Sequence, residues 1–290
     1  MTLDENSVLE QAVANQSRSY TDPAGREMAV IEDGPARKLS DRHARSLRDI
    51  YLAALAQGTW PCRYVRNREI LALEDQLKLA RATVAVIGAG GLGGTVLLLL
   101  ARIGVGSLVV VDGDVFEETN LNRQALADTA SIGEPKVQAA ARNIGAVNPA
   151  VAVTVFQERI DASNAEHILT GAQVVVDALD NIPARMTIVG AARRLGIPLV
   201  HGALAGFDGQ VMTIFPEDPG LKRIYGEPQP VESDPGRPEA VLGVPAPTAA
   251  IVATLQAMEV IKILLGRGQL LRNRLLHIDL EGSRFESFSF

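Results

Sequence analysis

A single cysteine, Cys62, serves the whole chain of 290 residues. One thiol cannot close an intrachain disulfide, and it excludes a zinc site built from several cysteines of this sequence. The 4 histidines (His43, His167, His201, His277) are scattered without H-E-x-x-H or other ligand spacing, so they read as ordinary surface or core residues. No long basic block is present: acids and bases are interspersed around a net charge of −6, which argues against a nucleic-acid surface. The longest unbroken apolar run, residues 96–101, is far short of the ~20 residues that span a bilayer. Residues 1–16 are acidic and lack the apolar segment of a signal peptide, so a cytoplasmic protein is expected. What the chain does have is a hydrophobic content of 47%, enough for a sizeable core near the upper limit of one α/β domain.

Residues 82–136 organise the rest. An apolar run, 84–87, reads as a buried parallel strand and empties into Gly88-Ala89-Gly90-Gly91-Leu92-Gly93, a G-x-G-x-x-G pattern. A helical run follows at 95–103, and a second strand, 108–111, ends on Asp112. Strand, glycine turn, helix, strand and acid, in that order, describe a nucleotide site: glycines let the backbone approach phosphate, the helix start offers unpaired N–H groups, and the acid accepts from ribose hydroxyls. The candidates are Gly88, Gly90, Gly91, Gly93 and Asp112, although a tight turn that binds nothing would need the same glycines. Beyond Asp112 stand Asp114, Asn120, Arg123, Gln124 and Lys136. A nicotinamide-dependent oxidoreductase leaves such a set without purpose, because its pyrophosphate is bound largely by backbone. An enzyme that cuts a triphosphate needs it to neutralise charge building on the transferred and leaving groups.

Asp112-Gly113-Asp114, then Asn120-Leu121-Asn122-Arg123-Gln124, then Ile132-Gly133 and Lys136, together resemble the ThiF/MoeB/HesA family of adenylyltransferases, relatives of the ubiquitin-activating enzymes. The resemblance runs from about Arg63 to the C-terminus. It implies ATP-dependent adenylation of the C-terminal glycine carboxylate of a small ubiquitin-like protein, often a sulfur carrier of thiamine or molybdopterin biosynthesis, with release of pyrophosphate. The carboxylate that ends the strand region 174–179, Asp180, sits where a Mg²⁺–ATP ligand belongs in such a sheet and matches the family's metal-binding aspartate, while Asn181 and Arg185 also fit its pattern. Asp180 could equally cap the helix that Pro183 opens; Asp177 reads as structural. Arg63-Tyr64-Val65-Arg66 resembles the family's entry motif, in which the second arginine reaches into the neighbouring subunit's ATP site; Asn67 stands where relatives have Gln. The implied roles are Lys136 on the α-phosphate, Arg123 and Arg66 (in trans, across a homodimer) on the β- and γ-phosphates, and Asp180 on Mg²⁺. Asp112 holds ribose, and Asn120 and Gln124 orient phosphate or the attacking carboxylate. Many relatives carry paired cysteines for a structural zinc; residues 220–225 hold none here, so ATP and Mg²⁺ are expected and zinc is not. Cys62 reads as a small, partly buried side chain.

The fold class implied is a Rossmann-like, mostly parallel sheet with helices on both faces, extended by antiparallel strands and a C-terminal hairpin. Residues 1–39 are polar and broken by Asp22-Pro23, Gly25, Gly34 and Pro35, and are expected to be a flexible arm. Residues 40–80 are expected to be helical and to contact a second subunit, with Ser40 capping a helix to Ala56 that buries Leu47, Ile50, Tyr51, Ala54 and Leu55. Residues 81–290 form the adenylation domain. Within it, 216–247 holds eight of the 15 prolines and reads as a crossover loop, and 248–265 is a strongly apolar helix for the core or a dimer seam. Two further readings stay open: adenylation of a carboxylate on modified tRNA, and a non-catalytic scaffold that binds a carrier.

Overall fold

A computed structural model describes residues 3–226 and 238–290. The chain opens with α1 (Leu3–Gln16), a hairpin of β1 (Arg18–Thr21) and β2 (Glu27–Ile31), α2 (Asp33–His43), α3 (Leu47–Ala56) and the short β3 (Trp60–Pro61). The three strands form a small sheet in the order β1-β2-β3. Residues 1–39, expected to be a flexible arm, instead form packed helices and strands from residue 3 onward. Few apolar residues are present there, but they are well spaced: Leu9 and Val13 lie one helical turn apart, and with Val30, Ile31, Ala36 and Leu39 they share one core with Leu47, Ile50, Tyr51 and Leu55. The single helix expected from Ser40 is two. Ser40 lies inside α2, Ala44 takes a left-handed conformation (φ 48°), and Ser46 opens α3 with a reciprocal capping box. Ser46 Oγ accepts from the Asp49 N–H and the Asp49 carboxylate accepts from the Ser46 N–H, both at 3.1 Å.

A 3-10 turn, Cys62–Asn67, leads to α4 (Leu73–Arg81), and then the expected alternation begins with β4 (Thr83–Ile87), α5 (Gly91–Ile103) and β5 (Ser107–Val111). It continues through α6 (Lys136–Val147), β6 (Ala152–Phe156), α7 (Ala165–Leu169), β7 (Val174–Asp177), α8 (Ile182–Leu195), β8 (Leu199–Ala205) and β9 (Asp208–Ile214). The last elements are α9 (Lys222–Tyr225), α10 (Pro238–Leu242), α11 (Ala246–Leu265), β10 (Arg274–Asp279) and β11 (Arg284–Ser289). Part of the expected crossover loop, 227–237, lies outside the described residues.

Among the described residues, eight strands form one sheet in the order β11-β10-β9-β8-β7-β4-β5-β6. It is parallel from β8 to β6 and antiparallel from β8 outward through the terminal hairpin. Both faces are covered, as a parallel sheet requires. Val84 and Val86 of β4 face a core shared with α5, α6 and α11, whereas Ala85 and Ile87 face one shared with α7 and α8. Leu221, in the segment 220–225, is buried in that second core, and Ile224 packs against it.

By length and composition α11 would pass for a membrane span, with a mean hydropathy of 1.7. Its polar interruptions show where it belongs. Gln256 is buried and donates from Nε2 to the carbonyls of Asp177 (2.7 Å) and Val200 (3.3 Å). Glu259, also buried, accepts from the Leu271 N–H at 2.8 Å and pairs with Lys262. α11 is a core helix laid along α5 and across β8 and β9.

Candidate active site

Strand order reverses at β4, whose neighbours are β5 and β7. The chain runs outward from β4 through β5 to β6, then crosses back to β7, and the crevice at such a switch point is where open α/β sheets bind ligands. Here it is lined by the glycine turn after β4 and by residues 178–181 after β7. The two backbones are in contact. A Cβ on Gly88, whose φ is 97°, would lie 2.6 Å from the Ala178 carbonyl oxygen, and one on Gly93 would lie 1.8 Å from that of Gly88. Only glycine fits at either place. The first N–H groups of α5, which begins at Gly91 within the glycine turn, have no intrahelical partners.

At the end of β5, Asp112 takes the Ala89 N–H on Oδ2 and the Asp114 N–H on Oδ1, both at 2.8 Å. A carboxylate offers about four acceptor positions, so two remain for ribose hydroxyls. Lys136, at the first position of α6, is buried, and its Nζ lies 3.3 Å from Asp114 Oδ2. The Lys136 N–H donates to the Asp114 carbonyl at 3.0 Å, which ties α6 to the Asp112–Asp114 turn. Arg159, after β6, reaches Asp114 Oδ1 at 3.5 Å. The sequence reading passed over Arg159, because nothing near it in the chain marks it; sheet order alone brings it to this rim.

On the other side of the turn stand Arg123 and Gln124. The stem of Arg123 lies against Gly91 and the Gln124 amide against Gly90, both at ordinary contact distance for an added Cβ. Arg123 makes no ion pair among the described residues; its Nη1 donates to the Thr119 carbonyl (2.8 Å) and to Asn122 Oδ1 (2.9 Å). Gln124 Oε1 is buried with no hydrogen-bond partner among the described residues. Asn120 is turned inward: its Oδ1 accepts from the Glu117 N–H at 3.1 Å, and its carbonyl accepts the N–H groups of Arg123 and Gln124. It shapes the turn that presents its neighbours.

Across the crevice, the two readings of residues 180 and 181 separate. Asn181 is the cap of α8, with Oδ1 accepting from the Ala184 N–H at 2.9 Å. Asp180 is left exposed, its Oδ1 3.3 Å from Asn181 Nδ2. Among the described residues no three His, Cys, Asp or Glu gather as a metal cage. That is compatible with magnesium, which is commonly held by one or two carboxylates plus substrate phosphates. A triphosphate likewise fits the residues present: a backbone cradle that a Cβ would fill, Arg123 with no ion pair among the described residues, and the buried Lys136 ammonium.

Arg66 is not brought to this crevice. Its turn is fastened to the far end of α5, where Asn67 Nδ2 donates to the Ile103 carbonyl at 3.3 Å and the Tyr64 ring lies against Gly104. Burial pushes the Cys62 thiol, in the same turn, above its usual pKa, which opposes a thiolate role.

Fold and site together are those of an α/β protein with a glycine-turn crevice at its switch point and positive groups at the rim. Residues 64–290 match the ThiF family, and the chain belongs to it. It is 41% identical over 218 residues to the SAMP-activating enzyme E1 of Haloferax volcanii, covering 75% of this chain and 80% of that one. It is 43% identical over 217 residues to the sulfur carrier protein adenylyltransferase of Thermus thermophilus, covering 72% and 79%. The enzyme type is thus that of the ThiF/MoeB adenylyltransferases. The crystal structure of PaaA shares the fold, with a TM-score of 0.64 at 22% identity over 95% of this chain and 98% of that one.

Proposed function

We propose that this protein adenylates the C-terminal glycine carboxylate of a small ubiquitin-like carrier protein ending in Gly-Gly, using ATP. The carboxylate oxygen attacks the α-phosphorus, the bond to the β-phosphate oxygen breaks, and acyl-adenylate and pyrophosphate result. A carboxylate is already ionised at neutral pH, so the protein supplies neither nucleophile nor base. Its work is positioning and charge neutralisation. Lys136 binds the α-phosphate, Arg123 the β- and γ-phosphates, and Asp112 the ribose, while Gly88, Gly90, Gly91 and Gly93 admit the phosphates to the backbone. Asp114 and Gln124 border the nucleotide. Asp180, with Asn181 beside it, would hold Mg²⁺, which would neutralise the phosphates further. Arg66 acts on the partner's nucleotide in a homodimer.

The observation that carries this reading is the convergence at one switch point of the glycine turn, Arg123, the Lys136–Asp114 pair and Asp180, drawn from three separate connections of the sheet. ATP–pyrophosphate exchange, measured with a purified Gly-Gly-terminated carrier, tests it. Lys136→Ala is expected to lower exchange by ~10²–10³, the usual effect of removing one oriented charge contact. Undiminished exchange would refute the assignment.

A further inference from the structure

Behind the loop that carries Asp180 runs a buried polar chain that the proposed reaction does not use. His201, on β8, is fully buried, with Nδ1 2.7 Å from Asp177 Oδ2 at the end of β7. Its Nε2 lies 3.2 Å from the hydroxyl of Tyr225, the last residue of α9. That hydroxyl also accepts from Gln210 Nε2 at 2.6 Å and from Arg185 Nη1 at 2.9 Å. Arg185, buried on α8, turns its other edge to the Leu179 carbonyl, donating from Nη2 at 2.6 Å and Nε at 3.2 Å. The Leu179 N–H in turn donates to Asp177 Oδ1 at 3.1 Å, closing the circuit.

One set of proton positions satisfies every member. The tyrosine oxygen accepts two N–H groups and gives its single proton to His201 Nε2. His201 donates from Nδ1 to Asp177, and the second Asp177 oxygen takes the Leu179 N–H. The imidazole is then neutral, and burial does lower the His201 pKa, with Asp177 opposing only in part. Buried networks of this kind are rigid when complete and costly when one member is lost. Leu179 is therefore gripped by both its backbone groups, while the preceding Ala178 lies so close to Gly88 that a Cβ there would meet its carbonyl oxygen at 2.6 Å. The next residue along is Asp180, exposed and outside any helix or strand.

We propose that Arg185, His201 and Tyr225 are positioning residues which, through the Leu179 backbone, fix the Asp180 carboxylate for a magnesium-bound triphosphate. This rests on the assignment of Asp180 above. A purely structural staple would stabilise the fold and leave metal dependence alone; the positioning role predicts a loss confined to the metal-dependent part of nucleotide binding.

The test is calorimetric binding of the non-hydrolysable ATP analogue AMPCPP to the full chain, titrated with Mg²⁺ and repeated in excess EDTA. It compares wild type, Tyr225→Phe, Asp180→Asn and the double variant. Tyr225→Phe removes the proton given to His201 and the acceptor facing Arg185 at nearly constant volume. The expected result is a rise of about 10-fold in the Mg²⁺ needed for half-maximal binding, the lower end of the usual cost of disturbing a metal ligand's support. Affinity in EDTA stays unchanged, and the double variant is no worse than Asp180→Asn. If Tyr225→Phe fails to fold, Arg185→Lys, which keeps the charge but loses the fork on Leu179, carries the same expectation. Unchanged Mg²⁺ dependence, an equal loss with and without metal, or additive losses in the double variant overturn the proposal. An Asp180→Asn protein with wild-type Mg²⁺ dependence overturns the Asp180 assignment and this inference with it. An affected Asp180→Asn beside an unaffected Tyr225→Phe overturns only the network.

Discussion

Gly91 and Gly93 stand two residues apart in one turn, yet a methyl group has different consequences at each. At Gly93 the added carbon would sit 1.8 Å from the Gly88 carbonyl oxygen, which is backbone, so strand and helix must part to admit it. At Gly91 the nearest atoms are 3.6 Å or more away, an ordinary contact, and alanine favours the helix that begins there. Gly93→Ala is therefore expected to cost at least ~2 kcal/mol in denaturant unfolding and to abolish ATP binding in calorimetry. Gly91→Ala should be neutral or stabilising by up to ~1 kcal/mol. Equal stabilities for the two variants would contradict the packing described. The pattern was legible beforehand because backbone crowding leaves glycine no substitute, so it shows directly in sequence. Arg159 and the orphaned Gln124 oxygen were not legible as geometry, since each acquires meaning from a neighbour on a different connection of the sheet.

Among the elements, legibility followed local chemistry. α6 runs from Lys136 to Val147 between two signals visible in the sequence, Pro135 at its start and Asn148-Pro149 at its end. The buried strands were plain as short apolar runs. The buried face of α3 was expected, but α1, the hairpin and the start of α2 were missed, because their burial depends on a few apolar residues brought together from several elements. His201 shows the same limit on a finer scale. It looks ordinary in sequence, and its partners Asp177 and Tyr225 are each 24 residues away. Its burial between β7 and α9, facing Asp177, Arg185, Gln210 and Tyr225, has a consequence for stability. Because the folded pKa is depressed, folded and unfolded chains both hold neutral His201 at pH 7 and above. As pH falls below about 6.5 the unfolded chain takes up a proton that the folded chain refuses, so stability drops by about 1.4 kcal/mol per pH unit until the folded pKa is reached. Urea unfolding between pH 7.5 and 5.5 should show a steeper loss for wild type than for His201→Asn. Parallel slopes would mean that His201 does not titrate differently in the two states. The comparison of slopes holds even if the variant is less stable throughout.

At the scale of the whole molecule, the N-terminal layer, which lies outside the family match, braces the turn on which Arg66 stands. Arg63 pairs with Asp33 of α2 and donates to the Val147 carbonyl at 2.8 Å, Arg68 pairs with Asp22 at 3.4 Å, and Tyr64 is buried in the N-terminal core. Arg66 itself is exposed, beside the C-terminal end of α5, while the glycine turn is at the other end. Thirteen helical residues separate the two, roughly 20 Å at 1.5 Å per residue, farther than an arginine side chain extends. Within one chain Arg66 and Lys136 cannot share a nucleotide, so an active-site role for Arg66 demands a second copy. A symmetric dimer turns this into arithmetic. Arg66→Ala and Asp180→Ala proteins should each be inactive in pyrophosphate exchange. When they are mixed in equal amounts, half the dimers are hybrids, and one site in each hybrid has both residues, so about a quarter of wild-type activity should return. Activity that stays at the level of the separate variants, in mixtures where mass spectrometry verifies hybrid dimers, would confine Arg66 to its own subunit's surface. Recovery would make the N-terminal layer a structural arm of the neighbouring active site, since it fixes the turn that delivers the arginine.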